Sequence, residues 1–131
     1  MITEIDVELK SFVKIFIRQG EFLRKLSCKL HPSMPNYIMN LAKNITHIHL
    51  VHSRGGCYTN LTPLQNLKNL SHLHLENAGA FQTLIHLFTT IGHQIQSLIL
   101  HNTQDVDLNF IHNHMPNLKV FGVTNTCNHP T

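Results

Sequence analysis

Residues 70–75 read Leu70-Ser-His-Leu-His-Leu75, and the apolar pattern of this segment, L-x-x-L-x-L, recurs along the whole chain. Apolar side chains occupy the same three positions in five further segments, which are residues 2–7, 23–28, 45–50, 95–100 and 118–123. Successive copies begin 21, 22, 25, 25 and 23 residues apart. A repeat of about 20–29 residues with this signature predicts that each unit is one short strand followed by a return segment.

The return segments carry the spacing of helices or of tight helical turns. One-face helical spacing is found in the first return at Leu9, Phe12, Val13, Phe16 and Ile17, and in the fourth at Phe81, Leu84, Ile85 and Phe88. Gly20 lies just past the first of these helices, where we expect it to adopt the left-handed conformation. The third return has a spacing of three, at Leu61, Leu64 and Leu67, and the fifth uses Leu108, Ile111 and Met115. The sequence therefore predicts an α/β fold.

The units resemble the repeats of the leucine-rich-repeat superfamily over essentially the whole chain. Returns that run from a helix into Pro-Asn-Leu, as in His114-Met-Pro-Asn-Leu118, are similar to those of F-box and leucine-rich-repeat proteins. The resemblance implies a solenoid of about six repeats, with short parallel strands on the concave face and helical or irregular returns on the convex face. We expect residues 1–131 to be one leucine-rich-repeat domain. Because neither end has a polar capping unit, we also expect it to be a fragment of a longer solenoid.

The chain departs from the most familiar repeats at one position. Those repeats place Asn or Cys three residues after the last strand leucine, where this chain has His31, Ser53, Ala78, Thr103 and Thr126. Asn77, Asn102 and Asn125 lie one residue earlier in three of the units. Since Asn side chains readily bond nearby backbone, we expect them to serve the same purpose in the turn.

Composition and charge argue against several classes of function. The net charge is +3, and six of the ten basic residues lie within residues 1–30, which leaves no basic stripe of the kind that binds nucleic acid. The longest apolar-leaning stretch, residues 12–17, is interrupted by Lys14 and is too short to span a membrane. Three widely spaced cysteines and the lack of a secretory signal favour an intracellular protein, cytoplasmic or nuclear. No phosphate loop or Ser-His-Asp arrangement that the repeats would assemble is evident, so we do not expect an enzyme.

The alternation of side chains along each strand identifies the candidate binding surface. With positions one, four and six of each unit inward, positions three, five and seven point to the concave face. The partner-binding residues predicted there are Lys25, His47, His49, His72, His74, Glu76 and His101.

Four of these residues, His47, His49, His72 and His74, form what we call the histidine quartet. Neighbouring strands lie about 4.8 Å apart and alternate residues about 6.6 Å apart, so the four imidazoles are expected to converge. Paired His-x-His segments on adjacent strands can supply the nitrogen ligands that zinc prefers. The quartet contains no carboxylate and has no evident second shell, which weighs against a metal. A contact surface that responds to pH is the other reading, because clustered imidazoles repel each other when protonated.

Two classes of function remain open. The first is a module that recognises a protein partner on its concave face, with no cofactor. The resemblance implies that this module is the substrate-recognition part of a ubiquitin-ligase adaptor, with a scaffold protein as partner only if an F-box lies outside this chain. The alternative is a metal-binding sensor or metal-dependent enzyme built on the histidine quartet.

Overall fold

A computed structural model of the chain describes residues 4–7, 17–29, 40–52 and 60–124. Its central feature is one parallel sheet in which six strands follow each other in sequence order. The strands are β1 (Glu4–Val7), β2 (Lys25–Lys29), β3 (His47–Val51), β4 (His72–Ala80), β5 (Ser97–Gln104) and β6 (Val120–Thr124). The expected α/β class, with an open parallel sheet, is confirmed.

Two buried rows of side chains cross the sheet and hold its register. The first contains Leu26, Ile48, Leu73 and Leu98, and the second contains Cys28, Leu50, Leu75 and Leu100. Every one of these side chains is at most 3% exposed. Fully burying one aliphatic side chain stabilises the fold by about 1.5–3 kcal/mol, so these rows contribute a large part of the stabilisation that the core provides.

Each of the last five units places a tight turn immediately before its strand. In every case a backbone N–H donates to the carbonyl three residues earlier, at Leu23→Gly20, Ile45→Ala42, Leu70→Leu67, Ile95→Gly92 and Leu118→Met115. The donor is the residue at the first apolar position of the unit. That residue therefore belongs to the turn, and the strands begin two residues later than the sequence predicted.

The returns contain short helical segments. Helix α1 (Ile85–Ile91) follows a 3-10 turn at Phe81–Leu84, and helix α2 (Leu108–His114) lies in the last return; Thr62–Asn66 forms another 3-10 turn. Phe81, Leu84 and Phe88 are buried as predicted. Leu108 is 62% exposed, which contradicts its predicted inward position. It is the first residue of α2, directly after the cap Asp107, whose carboxylate accepts from the N–H of Phe110. Most of the helix predicted in the first return lies outside the described residues. No described helix has the length and apolar character that crossing a membrane requires.

Asparagine side chains in the second halves of β4 and β5 join consecutive units. Asn77 and Asn102 both adopt the left-handed conformation, with φ of 60° and 58°. The Asn77 amide donates to the carbonyl of His52 at 3.1 Å, and the Asn102 amide donates to the Asn77 side-chain oxygen at 2.9 Å. Asn77 bonds backbone as predicted, although that backbone belongs to the preceding unit, whereas the bond from Asn102 goes to a side chain of the preceding unit. Asn125 lies outside the described residues.

A second set of amide side chains links the units just ahead of the strands. Each donor stands immediately before the first apolar position of its unit, and each acceptor is a carbonyl of the preceding unit. The pairs are Asn44 to Glu21 at 3.0 Å, Gln94 to Leu67 at 2.6 Å and to Leu70 at 2.8 Å, and Asn117 to His93 at 2.6 Å. Stacking of successive units is therefore fixed by hydrogen bonds on both sides of the strand as well as by the buried rows.

Strand β6 differs from the other strands in its burial. Phe121 and Val123 occupy positions that the repeat predicts to be inward, yet they are 38% and 42% exposed. Within the described residues β6 pairs only with β5, so no further strand covers these side chains. Inward positions in this repeat depend on the next unit for part of their burial.

The buried rows predict which substitutions in β4 unfold the protein. Leu73→Ala should cost about 2–5 kcal/mol in the free energy of unfolding, because it opens a cavity beside two neighbouring strands. His72→Ala removes a partly exposed ring and should cost about 0.5 kcal/mol or less. Chemical denaturation of the two variants measures both. A Leu73→Ala loss below about 1 kcal/mol would contradict the assignment of this row to the core.

Candidate functional site

The predicted site residues lie in three parallel rows on the face opposite the buried rows. The first row pairs Lys25, His47, His72 and Ser97 in register. The second pairs Ser27, His49, His74 and Ile99, and the third contains Glu76 and His101 between Val51 and Thr124. The columns predicted from the repeat are therefore the columns observed.

A shallow groove of about 510 Å³ runs over the first two rows. Its side chains from those rows are Lys25, Ser27, His47, His49, His72, His74, Ser97 and Ile99. Glu76 and His101 are not among its lining residues. The structure thus brings five of the seven predicted residues to one groove and leaves Glu76 and His101 in the third row beside it.

The histidine quartet consists of two stacked pairs. The rings of His47 and His72 have centroids 3.9 Å apart and planes inclined by 12°. Those of His49 and His74 lie 4.0 Å apart with the same inclination. In the first pair each Nδ1 is 2.7 Å from the hydroxyl of the preceding residue, Thr46 or Ser71. Direct register of parallel strands produces the stacking, because it places equivalent side chains side by side.

The second pair is tied to a chain of hydrogen bonds that crosses three strands. The Ser27 hydroxyl lies 3.2 Å from Nδ1 of His49, and Nε2 of His49 is hydrogen-bonded to the carboxylate of Glu76. No Ser-His-Asp arrangement was expected from the sequence, and the structure joins a related set, Ser27, His49 and Glu76, with glutamate as the carboxylate. The signal was present: Ser27 and His49 share a column, and Glu76 stands in the next column one strand further on.

The electrostatics of this cluster follow from burial and from the close packing of the rings. Burial lowers the pKa of His74 below its ordinary value, and the nearby His49 and His101 lower it further, while Glu76 opposes them. The hydrogen bond from His49 lowers the pKa of Glu76. Both directions favour a neutral His74 beside an ionised Glu76 at neutral pH.

The set of residues whose ligand atoms lie close enough to bind one metal ion differs from the predicted quartet. One ligand atom from each of His49, His74 and Glu76 lies within 4.8 Å of the other two, and this is the one group of its kind among the described residues. His47 and His72 are not part of it. A carboxylate that the sequence analysis assigned to partner binding thus takes the place of two of the predicted imidazoles.

Comparison with known proteins adds no identification. The chain matches no protein family, no curated protein and no solved structure.

The lowered pKa of His74 predicts how stability depends on pH in metal-free protein. Because the folded pKa lies below the unfolded value of about 6.5, this residue's contribution is complete above that pH and is lost as the pH falls towards the folded pKa. His74→Gln should therefore lose less stability than the wild type between about pH 7.5 and 5.5. Urea denaturation with a chelator present, at both pH values, measures the difference.

The control for this experiment is His86→Gln, which removes an exposed imidazole from α1. We expect it to keep the wild-type dependence on pH. If His74→Gln also keeps that dependence in full, the environment assigned to His74 is wrong.

Proposed function

We propose that this chain is a leucine-rich-repeat solenoid that recognises a protein partner on its strand face. Support for the solenoid comes from the way one local arrangement repeats from unit to unit. Parallel strands pair in sequence order, a tight turn precedes each strand from β2 to β6, and two sets of amide side chains join the units. A stack of units of this kind offers an extended surface to a partner.

The observation that carries the recognition proposal is the groove over β2 to β5. Its imidazoles are half-buried, so they combine apolar ring faces with nitrogen atoms that accept or donate hydrogen bonds. Ile99 adds an aliphatic side chain at the β5 side of the groove, and Lys25 adds a positive charge at the β2 side. Protein interfaces combine apolar contact area with a few oriented polar groups in this way.

The groove lies on the strand face, where side chains can be substituted without disturbing the core. Residues in the groove alternate with the buried rows, so their chemistry is free to vary while Leu73 and its neighbours maintain the fold. Helix exteriors on the other side carry scattered polar side chains such as Thr89 and Thr90, each bonded to its own helix backbone. We therefore place the partner on the groove.

The narrower role of selecting substrates for a ubiquitin ligase rests on the resemblance of the repeats alone. It requires an F-box segment in the same polypeptide, which would recruit the ligase scaffold. Within this proposal, the groove binds the substrate and the F-box binds the scaffold.

A cross-linking experiment tests the groove directly. A photo-reactive amino acid replaces Ser97, which lies in the groove, or Lys68, an exposed residue of a return. In cell extract, light should give a discrete adduct from position 97 and none from position 68. The captured protein is then purified, and its affinity for the wild-type chain is measured.

The decisive variant is the double substitution His47→Ala and His72→Ala. Removing both rings of one stacked pair from the centre of the interface should weaken binding by about tenfold or more, since a central contact residue contributes more than about 1 kcal/mol. The matched control replaces two exposed lysines of the returns, Lys43 and Lys68, by Ala. If the lysine variant loses affinity and the histidine variant does not, the partner binds the opposite face and the proposal fails.

A further inference from the structure

Three half-buried side chains on neighbouring strands offer metal ligands to one point on the strand face. We propose that His49, His74 and Glu76 form a binding site for a divalent transition-metal ion, with zinc as the preferred ion. One ligand atom from each residue lies within 4.8 Å of the other two. The site does not depend on partner recognition, because it is defined by these side chains alone.

The donor atoms select the class of ion. Two imidazole nitrogens and one carboxylate oxygen suit zinc and its first-row neighbours, whereas calcium and magnesium prefer oxygen ligands throughout. Three protein ligands leave one tetrahedral position to water or to another small ligand, which is the arrangement of open zinc sites.

The geometry needs only side-chain movement to receive the ion. Tetrahedral zinc with bonds of 2.0–2.1 Å holds its ligand atoms about 3.3 Å apart, so the separation of any two ligand atoms has to change by about 1.5 Å or less. His49 and His74 are direct partners in the register of β3 and β4, and Glu76 stands two residues beyond His74 on the same face. Nε2 of His49 already contacts the carboxylate of Glu76. Zinc would take the place of the Nε2 proton of His49, which is released to solvent, and the His74 ring would turn to bring a nitrogen to the ion.

Ser27 acts as a positioning residue for this site. With its hydroxyl 3.2 Å from Nδ1 of His49, Ser27 can accept an N–H from that nitrogen once Nε2 has given up its proton to make room for the ion. The tautomer that results leaves the Nε2 lone pair for the ion.

The same hydrogen-bonded chain also has the composition of a hydrolytic relay, but the strands that the structure describes beside Ser27 do not support that chemistry. Catalysis by a serine nucleophile requires N–H donors aimed at the oxyanion that forms. Strand β2, which carries Ser27, is paired with β1 on one side and with β3 on the other. Its backbone N–H groups are therefore engaged in the sheet, and we assign the cluster to an ion.

The histidine quartet supplies its own control. His47 and His72 form a stacked pair on the same face with nearly the same spacing as His49 and His74, but they belong to no metal-ligand group among the described residues. Removing either pair takes two of the twelve histidines from the chain. Comparing the two double variants therefore distinguishes zinc binding at His49, His74 and Glu76 from the general affinity of a histidine-rich surface for zinc.

The experiment uses the full chain purified without a histidine tag and stripped of metal by a chelator. Zinc is titrated in competition with a chromophoric chelator, and cobalt replaces zinc in a second titration because its visible absorption reports four-coordinate binding. The wild type and the His47→Ala, His72→Ala double variant should each bind one ion with the same affinity. Glu76→Gln, which keeps the side-chain shape and all twelve histidines, should raise the Kd by about 10-fold or more, and Ser27→Ala by about 10-fold.

The His49→Ala, His74→Ala double variant should lose the tight site and its cobalt absorption. Thermal unfolding in chelator confirms that each variant is folded, and Glu76→Gln gives a test that leaves the shape of the fold unchanged. The proposal is overturned if the wild type binds no ion tightly, if Glu76→Gln binds as the wild type does, or if the two histidine double variants lose affinity equally.

Discussion

The in-register pairing of equivalent strands is the constraint on which the rest of this structure depends. Two buried rows set that register, because a slip of one residue would turn Leu73 and Leu75 outward and bring His72 and His74 into the core. Desolvating polar rings without partners costs several kcal/mol, so the register is strongly specified. Once the register is set, it determines which outward side chains lie next to each other. The stacked imidazole pairs are a consequence of the core, even though no atom of them belongs to it.

The strand positions and the outward-facing residues could be predicted from the sequence because the units of a short repeat can be aligned with one another. Columns of outward residues follow directly from the apolar positions, and the backbone hydrogen bond of Asn77 could be predicted from side-chain chemistry alone. The diagonal link from His49 to Glu76 was missed because a column analysis compares residues at the same position, whereas long side chains also reach the next position on a neighbouring strand. Leu108 was misplaced because periodicity gives the face of a helix but not the residue at which the helix begins.

Gly20 illustrates a different limit. Its place after a helical pattern predicted the left-handed conformation of a helix end, but the backbone angle is an ordinary one. Its role is to permit close approach, since a Cβ there would lie 2.1 Å from the carbonyl oxygen of Leu41 in the next return. Gly92 stands at the equivalent point of a later unit, where a Cβ would lie 2.4 Å from the carbonyl oxygen of His114. Both positions require glycine because the backbone of the next unit comes close, and not because of the local conformation. This contact between units cannot be predicted from the sequence of a single unit.

The two imidazole pairs show how one repeated geometry can give two kinds of chemistry. Both pairs arise from the same strands with the same stacking, and they differ in what the neighbouring columns provide. His47 and His72 are each joined through Nδ1 to the hydroxyl of the residue before them. His49 has a hydroxyl on one side and a carboxylate on the other, so its nitrogens are committed within the protein. The partner that we propose for the groove would meet the imidazole rings of the first pair. Among the residues that the structure describes on these rows, the carboxylate of Glu76 lies beside the second pair, and for this reason we propose recognition and metal binding on adjacent rows of the same sheet.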